Sequence, residues 1–389
     1  MFNTGSPAQG KKFIDRIKHL KKFDMFIQNN QHIMIKAPRR FGKTSLVLKL
    51  FEQKKYNTIY IDIKKANSLT ALSQLIIDEI YSLIGVNGIV LKAQDSIANL
   101  FKTLKTTLKI DTKIIQLTIE TLEKHQKKQI NEVELFLSSL DLVEKIAKKQ
   151  NLQIKMAFDE FQDILFLSDK SILDKMRSVM QHHQFITYVF LGSIESVMNK
   201  IFANKKSAFF HFTRLMDLGG LDIDELSNFV IKFFKKEAIK IDDFIFDLIQ
   251  YLDGHPYYTM KTLQTVYFNA LQNNKKNIDK KDCIIALSNV LLETKPYLDE
   301  MIDRIKIKAH HHRVLWYLAN NQKDQDISNI MRYKTYVSLE NLGYIKKIGR
   351  AEYIICDIFL KIYLQQNNDM KLIQQQIDFI GLDYMGNKK

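Results

Sequence analysis

The chain has 389 residues, of which 46% are hydrophobic and 26% charged, with 13 Gly and only 4 Pro; this excludes a disordered or fibrous chain and predicts two or three domains rich in helix. The formal net charge of +15 permits attraction to nucleic acid or to acidic membrane surfaces. A competing reading is solvated helix faces, because the lysines spread through helical stretches such as "KKFDMF", "FKTLKTTLK" and "KFFKKEAIK".

Cys283 and Cys356 form no CxxC pair, so neither a disulfide framework nor a zinc site is expected and a reducing cytoplasm is. The N-terminus "MFNTGSPAQGKKFIDRIKHL" lacks the apolar core of a signal peptide, and no apolar run reaches bilayer length, so the expectation is a soluble protein without a membrane partner.

Through residue 222, short apolar runs alternate with helical patterns, as in a parallel sheet with crossover helices. Strands are expected at 32–36, 58–63, 154–158, 186–191 and 212–218. Residues 68–150 read as mostly helix: "LTALSQLIIDEIYSLIG" places Leu69, Leu72, Leu75, Ile76, Ile80 and Leu83 at helical spacing, and "KIIQLTIETLEKHQKKQI" resembles a helical insertion. From Asp222, three helices with short turns predict a small all-helical domain. Near Lys295 a third unit starts, with a helix at "HHHRVLWYLAN", one or two more at "ISNIMRYKTYVSLENLGYI" and a β-hairpin turning at Gly349-Arg350, a winged-helix pattern. The expected domains are thus 1–222, 223–294 and 295–365, followed by a helical tail, 366–389.

"KAPRRFGKTSL", residues 36–46, lies between an expected strand and helix. A phosphate-binding loop needs inward backbone N–H groups, a helix N-terminus behind them, a lysine for the terminal phosphates and a hydroxyl for Mg²⁺. The segment Ala37, Pro38, Arg39, Arg40, Phe41, Gly42, Lys43, Thr44 and Ser45 supplies these: Gly42 for close approach, Lys43 for the β- and γ-phosphates, Thr44 for Mg²⁺. Ala37 stands where such loops begin with glycine, and an alanine fits there if its backbone angle is ordinary. A second carboxylate is expected at the end of a neighbouring strand, and "IKMAFDEFQDI" provides Asp159 for Mg²⁺ and Glu160 to polarise the attacking water.

These residues resemble the archaeal-type ATPase family, a branch of the signal-transducing (STAND) P-loop ATPases within the AAA+ group. The resemblance rests on "GKKFIDR", "APRRFGKTSL", "LDLVEKIAKKQNLQIKMAFDEFQDI", "FLGSIESVM", "GHPYY" and "LENLGYIKK" leading to "YIICDIFLKIYL". It implies an α/β P-loop NTPase sheet with a helical lid and a C-terminal winged helix, using ATP and Mg²⁺. It also implies that Ser193 is the polar sensor near the γ-phosphate, where the residues alone equally allow a helix N-cap. Arg214 would respond to the γ-phosphate, or else form a surface salt bridge. His255 and Pro256 would touch nucleotide, or simply turn between helices. Arg16 and Phe13 would lie near the adenine, or belong to an amphipathic helix.

The expected function is a slow ATPase that works as a nucleotide-dependent switch. One alternative is a helper ATPase similar to origin-recognition or transposition-helper proteins, binding duplex DNA through Arg332, Lys334, Lys346, Lys347 and Arg350; another is a scaffold that binds nucleotide without turnover. No nuclease cluster, protease triad or tandem repeat is read in the sequence, so an effector is expected to be a partner protein or a second copy of the chain.

Overall fold

The computed structural model describes residues 2, 13–14, 16–84, 132–322 and 326–365. The expected insertion helix at 113–130 and the tail at 366–389 lie outside them. The first elements are α1 (Ile17–Gln28), β1 (Ile33–Lys36), α2 (Lys43–Lys54), β2 (Asn57–Asp62), α3 (Leu69–Leu83), α4 (Glu132–Gln150) and β3 (Ile154–Asp159). There follow α5 (Ile164–Leu167), α6 (Ser171–Met180), β4 (Ile186–Gly192), α7 (Glu195–Phe202) and β5 (Arg214–Asp217).

Among the described residues the chain forms two compact units. One takes in Lys18–Ala37 and Leu46–Asp217; the other takes in what is described of Met1–Ile17, Pro38–Ser45 and Leu218–Lys389.

The first unit is built on a five-stranded parallel sheet of order β2-β3-β4-β1-β5. Strands covered on both faces must be apolar throughout, and "ITYVFLG" of β4 is buried at every position. The edge strands differ: β2 alternates, and in β5 only Met216 is buried. Expected strand 212–218 shortens accordingly to the four residues that pair with Ile33–Lys36. The stripe predicted on α3 is the face it buries, through Leu69, Leu72, Ile76 and Ile80, and Ser68 caps its start by accepting from the Ala71 N–H at 3.1 Å.

The second unit contains α8 (Ile223–Lys236), β6 (Lys240–Ile241), α9 (Phe244–Tyr251), α10 (Pro256–Gln272), β7 (Asn277–Ile278) and α11 (Lys280–Lys306). It continues through α12 (His311–Ala319), α13 (Asn329–Asn341), β8 (Ile345–Gly349), β9 (Glu352–Ile355) and α14 (Ile358–Gln365). Its helices start where the sequence offers caps: Asp222 before α8, and the Asp279/Asp282 capping box before α11.

Two details differ from expectation, at a domain boundary and at the hairpin, and between them an open count of helices is decided. The boundary at 294/295 falls inside α11, whose Leu291 and Leu298 belong to one continuous apolar core reaching from Leu221 to Leu364. "ISNIMRYKTYVSLENLGYI" makes one helix, α13, with Ser328 as its cap. The hairpin turns at Arg350 and Ala351, not at Gly349-Arg350, because Gly349 still pairs with Glu352 and Ala351 takes the positive φ of 62°.

Beneath the start of β1, the His32 ring lies 4.4 Å from Phe212 and its Nδ1 accepts the Tyr188 N–H at 3.1 Å. Burial, aided by the charges of Arg177, His183 and Lys155, pushes its pKa down to about 4. A depressed histidine takes up its proton on unfolding, so stability rises with pH across this window. Unfolding in urea should therefore become easier as pH falls from about 6.5 to about 4, by up to ~3 kcal/mol from this group. His32→Gln, with an amide oxygen to accept the same N–H, should flatten that dependence in matched urea titrations.

Candidate functional site

The carboxyl ends of the central strands collect the polar residues of the sheet unit. β1 ends at Lys36, which pairs with Gly192 of β4 and Asp217 of β5. Lys36 Nζ lies 3.1 Å from Asp217 Oδ1 and donates to Asn199 Oδ1 at 2.9 Å. Ala37 follows, fully buried, and its N–H donates to the Gly192 carbonyl at 3.4 Å. Its φ is not positive, so alanine stands there without the strain that would have favoured glycine.

At the end of β3, Phe158 and Phe161 are both fully buried. The chain turns between them in one residue, Glu160, at φ 51°. Asp159 is thus the last residue of β3, paired with Asp62, and Glu160 the first beyond it, between flanking aromatics that stay in the core, with Phe161 edge-on to Phe190 at 4.6 Å. Asp159 accepts from the Tyr60 hydroxyl and, at 2.9 Å, from the Glu160 N–H. Glu160 Oε2 accepts from Ser193 Oγ at 2.6 Å, from the Ser193 N–H at 3.2 Å and from Gln162 Nε2 at 2.7 Å, and Oε1 lies 3.5 Å from Lys64 Nζ. Ser193 is thus brought to Glu160 and does not cap α7, whose cap position is Ile194.

The remaining candidates lie in the second unit. After Pro38, Arg40 takes φ 112° and Gly42 φ 84°, and α2 begins at Lys43. A Cβ on Gly42 would meet nothing within 4 Å. Buried Lys43 donates from Nζ to the Pro38 carbonyl at 3.2 Å. Arg16, 4% exposed, donates to the carbonyls of Gly219 at 2.7 Å, Gly220 at 3.1 Å and Phe41 at 3.1 Å, tying the loop to the segment after β5. His255 Nδ1 accepts the Tyr258 N–H at 3.4 Å, with Pro256 at the first position of α10. Burial pushes the His255 pKa down to about 3, which keeps the ring neutral as that acceptor requires. The same ring meets Phe41 at 4.6 Å, so "GHP" is an interhelical turn and also a neighbour of the loop.

Arg214 is placed elsewhere. It opposes Ile33 at the start of β1, three residues and ~10 Å of strand from the carboxyl ends, and its Nε donates to Gln31 Oε1 at 3.3 Å. That end of the sheet bears neither Asp159, Glu160 nor Ser193, so the γ-phosphate role expected of Arg214 is withdrawn. Tyr60, Lys64 and Gln162 were not among the expected site residues. Gln162 had a signal in its two-residue offset from Glu160; Tyr60 and Lys64 come from β2 and the turn after it, and only strand pairing brings them to β3.

No group of three or more His, Cys, Asp or Glu that could hold a metal ion occurs among the described residues. Within the second unit the Thr44 hydroxyl is nevertheless a hard oxygen donor of the kind Mg²⁺ takes alongside phosphate oxygens and water, and the open side of Gly42 leaves room beside the loop; within the first unit the Asp159 carboxylate is a donor of the same kind. The residues present fit a Mg-nucleotide.

No protein-family model matches the chain, and no curated protein matches it in sequence. Among solved structures it is similar to the Walker-type ATPase PABY2304 of Pyrococcus abyssi, at 15% identity and a TM-score of 0.66, over 94% of this chain and 99% of that one. It is also similar to the Aeropyrum pernix ORC2 protein in ADPNP-ADP complexes, at 11% identity and a TM-score of 0.57, over 97% of this chain and 98% of that one. At such identities the likeness shows the fold, which is the α/β parallel-sheet fold of P-loop NTPases. Among the described residues no helix is long and apolar enough to cross a membrane.

Arg16 joins the Phe41 carbonyl of the loop to those of Gly219 and Gly220, and removing it leaves three acceptors without this donor. Arg16→Met should lower stability by ~2–3 kcal/mol, read as a drop in the urea midpoint; a shift below ~0.5 kcal/mol would mean that these bonds are dispensable.

Proposed function

We propose that the chain binds Mg-ATP, hydrolyses it slowly and acts as a nucleotide-dependent switch. One observation carries the reading: β1 runs through a Gly42-containing loop directly into the N-terminus of α2, with Lys43 as its first residue. Helix N-termini favour anions, because their unpaired N–H groups and the positive end of the dipole face outward.

Lys43 and the loop N–H groups would neutralise the β- and γ-phosphates. Thr44 and Asp159 would hold Mg²⁺, which supplies charge neutralisation on the phosphate oxygens when bound. Glu160 would orient and polarise the attacking water. Its carboxylate already accepts three hydrogen bonds from Ser193 and Gln162, and donors of this kind weaken a carboxylate as a base. Holding the carboxylate by Oε2 in this way fixes it where it would orient water and supports a protein that binds better than it hydrolyses.

The region from α8 through much of α11 is read as the lid, and α12, α13 and the β8–β9 hairpin as a winged helix. One observation favours a second reading, duplex binding: Lys334, Lys347 and Arg350 are exposed on α13 and the hairpin. Arg332 contributes less, since it donates to the Ile327 carbonyl and to Asn329 Oδ1, both at 3.1 Å.

Lys43→Ala should abolish Mg-ATP binding measured by calorimetry, whereas Glu160→Gln should bind ATP and hydrolyse it about 10²-fold or more slowly. A Lys43→Ala protein that bound and hydrolysed like the parent would refute the assignment. If three cations meet phosphates, duplex affinity should fall about forty-fold between ~50 and ~200 mM salt; binding that ignores salt would sink the duplex reading.

A further inference from the structure

The described non-glycine residues with positive φ lie between 50° and 72°, within the left-handed helical well, except Arg40 at 112°. An L-residue persists at such an angle only where its surroundings over-determine it. For Arg40 those surroundings are two rings: its guanidinium carbon lies 4.5 Å from the ring centre of Tyr257, in the first turn of α10, and 5.0 Å from that of Tyr297, on α11. The next residue is held as well, Phe41 by the His255 ring and by Arg16 on its carbonyl.

From the same turn of α10 the contacts continue to the end of the chain's described part. His255 meets Tyr258 at 4.5 Å, and the Tyr258 ring stacks on Phe359 at 3.8 Å. The Tyr258 hydroxyl donates to Asp357 Oδ2 at 2.9 Å, and Asp357 Oδ1 accepts the N–H groups of Phe359 and Leu360 at the start of α14. Burial raises the Asp357 carboxyl, and the charge of Arg40 works against that rise. Loop, α10, α11 and α14 are therefore in contact through named side chains of one unit.

We propose that Arg40 is a positioning residue: its guanidinium, seated between Tyr257 and Tyr297, keeps the phosphate loop in its binding conformation and so links nucleotide occupancy to the C-terminal helices. The proposal rests on the Mg-ATP reading of the loop. Neither tyrosine needs to touch the phosphates. Aromatic faces attract the guanidinium and make the strained angle the populated one; a nucleotide that selects the same loop conformation must, by reciprocity, favour the seated arginine and the helices carrying the rings.

The test is a calorimetric titration of Mg-ATP into the full chain. Tyr257→Leu with Tyr297→Leu should weaken binding about fivefold, and adding Arg40→Gly should restore it to within about twofold of the parent, because glycine reaches φ 112° without a clamp. A tyrosine pair needed only for packing would weaken binding with no rescue by Arg40→Gly, and that result, or parent-like affinity in the double leucine variant, would overturn the proposal. Should the leucine variant not fold, hydrogen exchange on the parent and on Arg40→Gly decides. Mg-ATP should slow exchange around Tyr257 and Tyr297 in the parent and leave it unchanged in Arg40→Gly; equal protection in both overturns the link. A parent that binds no Mg-ATP overturns the nucleotide reading itself, whereas a parent that binds without rescue or transmitted protection overturns only the role of Arg40.

Discussion

Buried parallel strands must dispose of their polar backbone groups where they end, since an unpaired buried N–H or carbonyl is costly, and the candidate site grows from this requirement. At the end of β1 the Ala37 N–H is satisfied by the Gly192 carbonyl; at the end of β4 the Ser193 N–H finds Glu160; at the end of β3 the Glu160 N–H finds its neighbour Asp159. Each of these bonds also orients a group with chemical use. The sheet unit thus presents its carboxylates at the end of β3, where the flanking Phe158 and Phe161 remain in the core and Glu160 between strand and the next turn takes a left-handed angle.

The second unit solves a different problem. Its loop, Pro38–Ser45, carries two positive-φ residues, Arg40 and Gly42, and it is held by side chains from elsewhere in the unit. Arg16 takes three carbonyls, His255 supports Phe41, and Tyr257 with Tyr297 flank Arg40. Close approach needs glycine in each unit: in the first, a Cβ on Gly192 would run into Met198 and Gln162; in the second, one on Gly220 would run into the Asp253 carbonyl and one on Gly254 would stand 2.5 Å from the Leu221 carbonyl.

Much of the sheet was legible in the sequence because strands covered on both faces are apolar runs, and β1, β3 and β4 appear within a residue or two of expectation. Edges were less legible: β5 pairs on one side only and lost residues at both ends of its expected span. Asp159 and Glu160 could be read from a local pattern, as could the loop. The partners of Glu160 could not, since Lys64 and Ser193 lie 96 and 33 residues away. Arg214 was misread for a related reason: a strand's residue is known from sequence before its end of the sheet is.

The sequence by itself determined the alternation of apolar runs and helical stripes, the strand-loop-helix around Gly42-Lys43 and the acidic pair after β3, because these depend on neighbours within a few residues. Only the tertiary structure decided that Ser193 grips Glu160 instead of capping a helix, that Arg16 spends its guanidinium on backbone carbonyls, and that Arg40 sits between two tyrosines. Hydrogen bonds and ring contacts of that kind are set by which distant segments packing brings within a few ångströms, and no local periodicity encodes that distance.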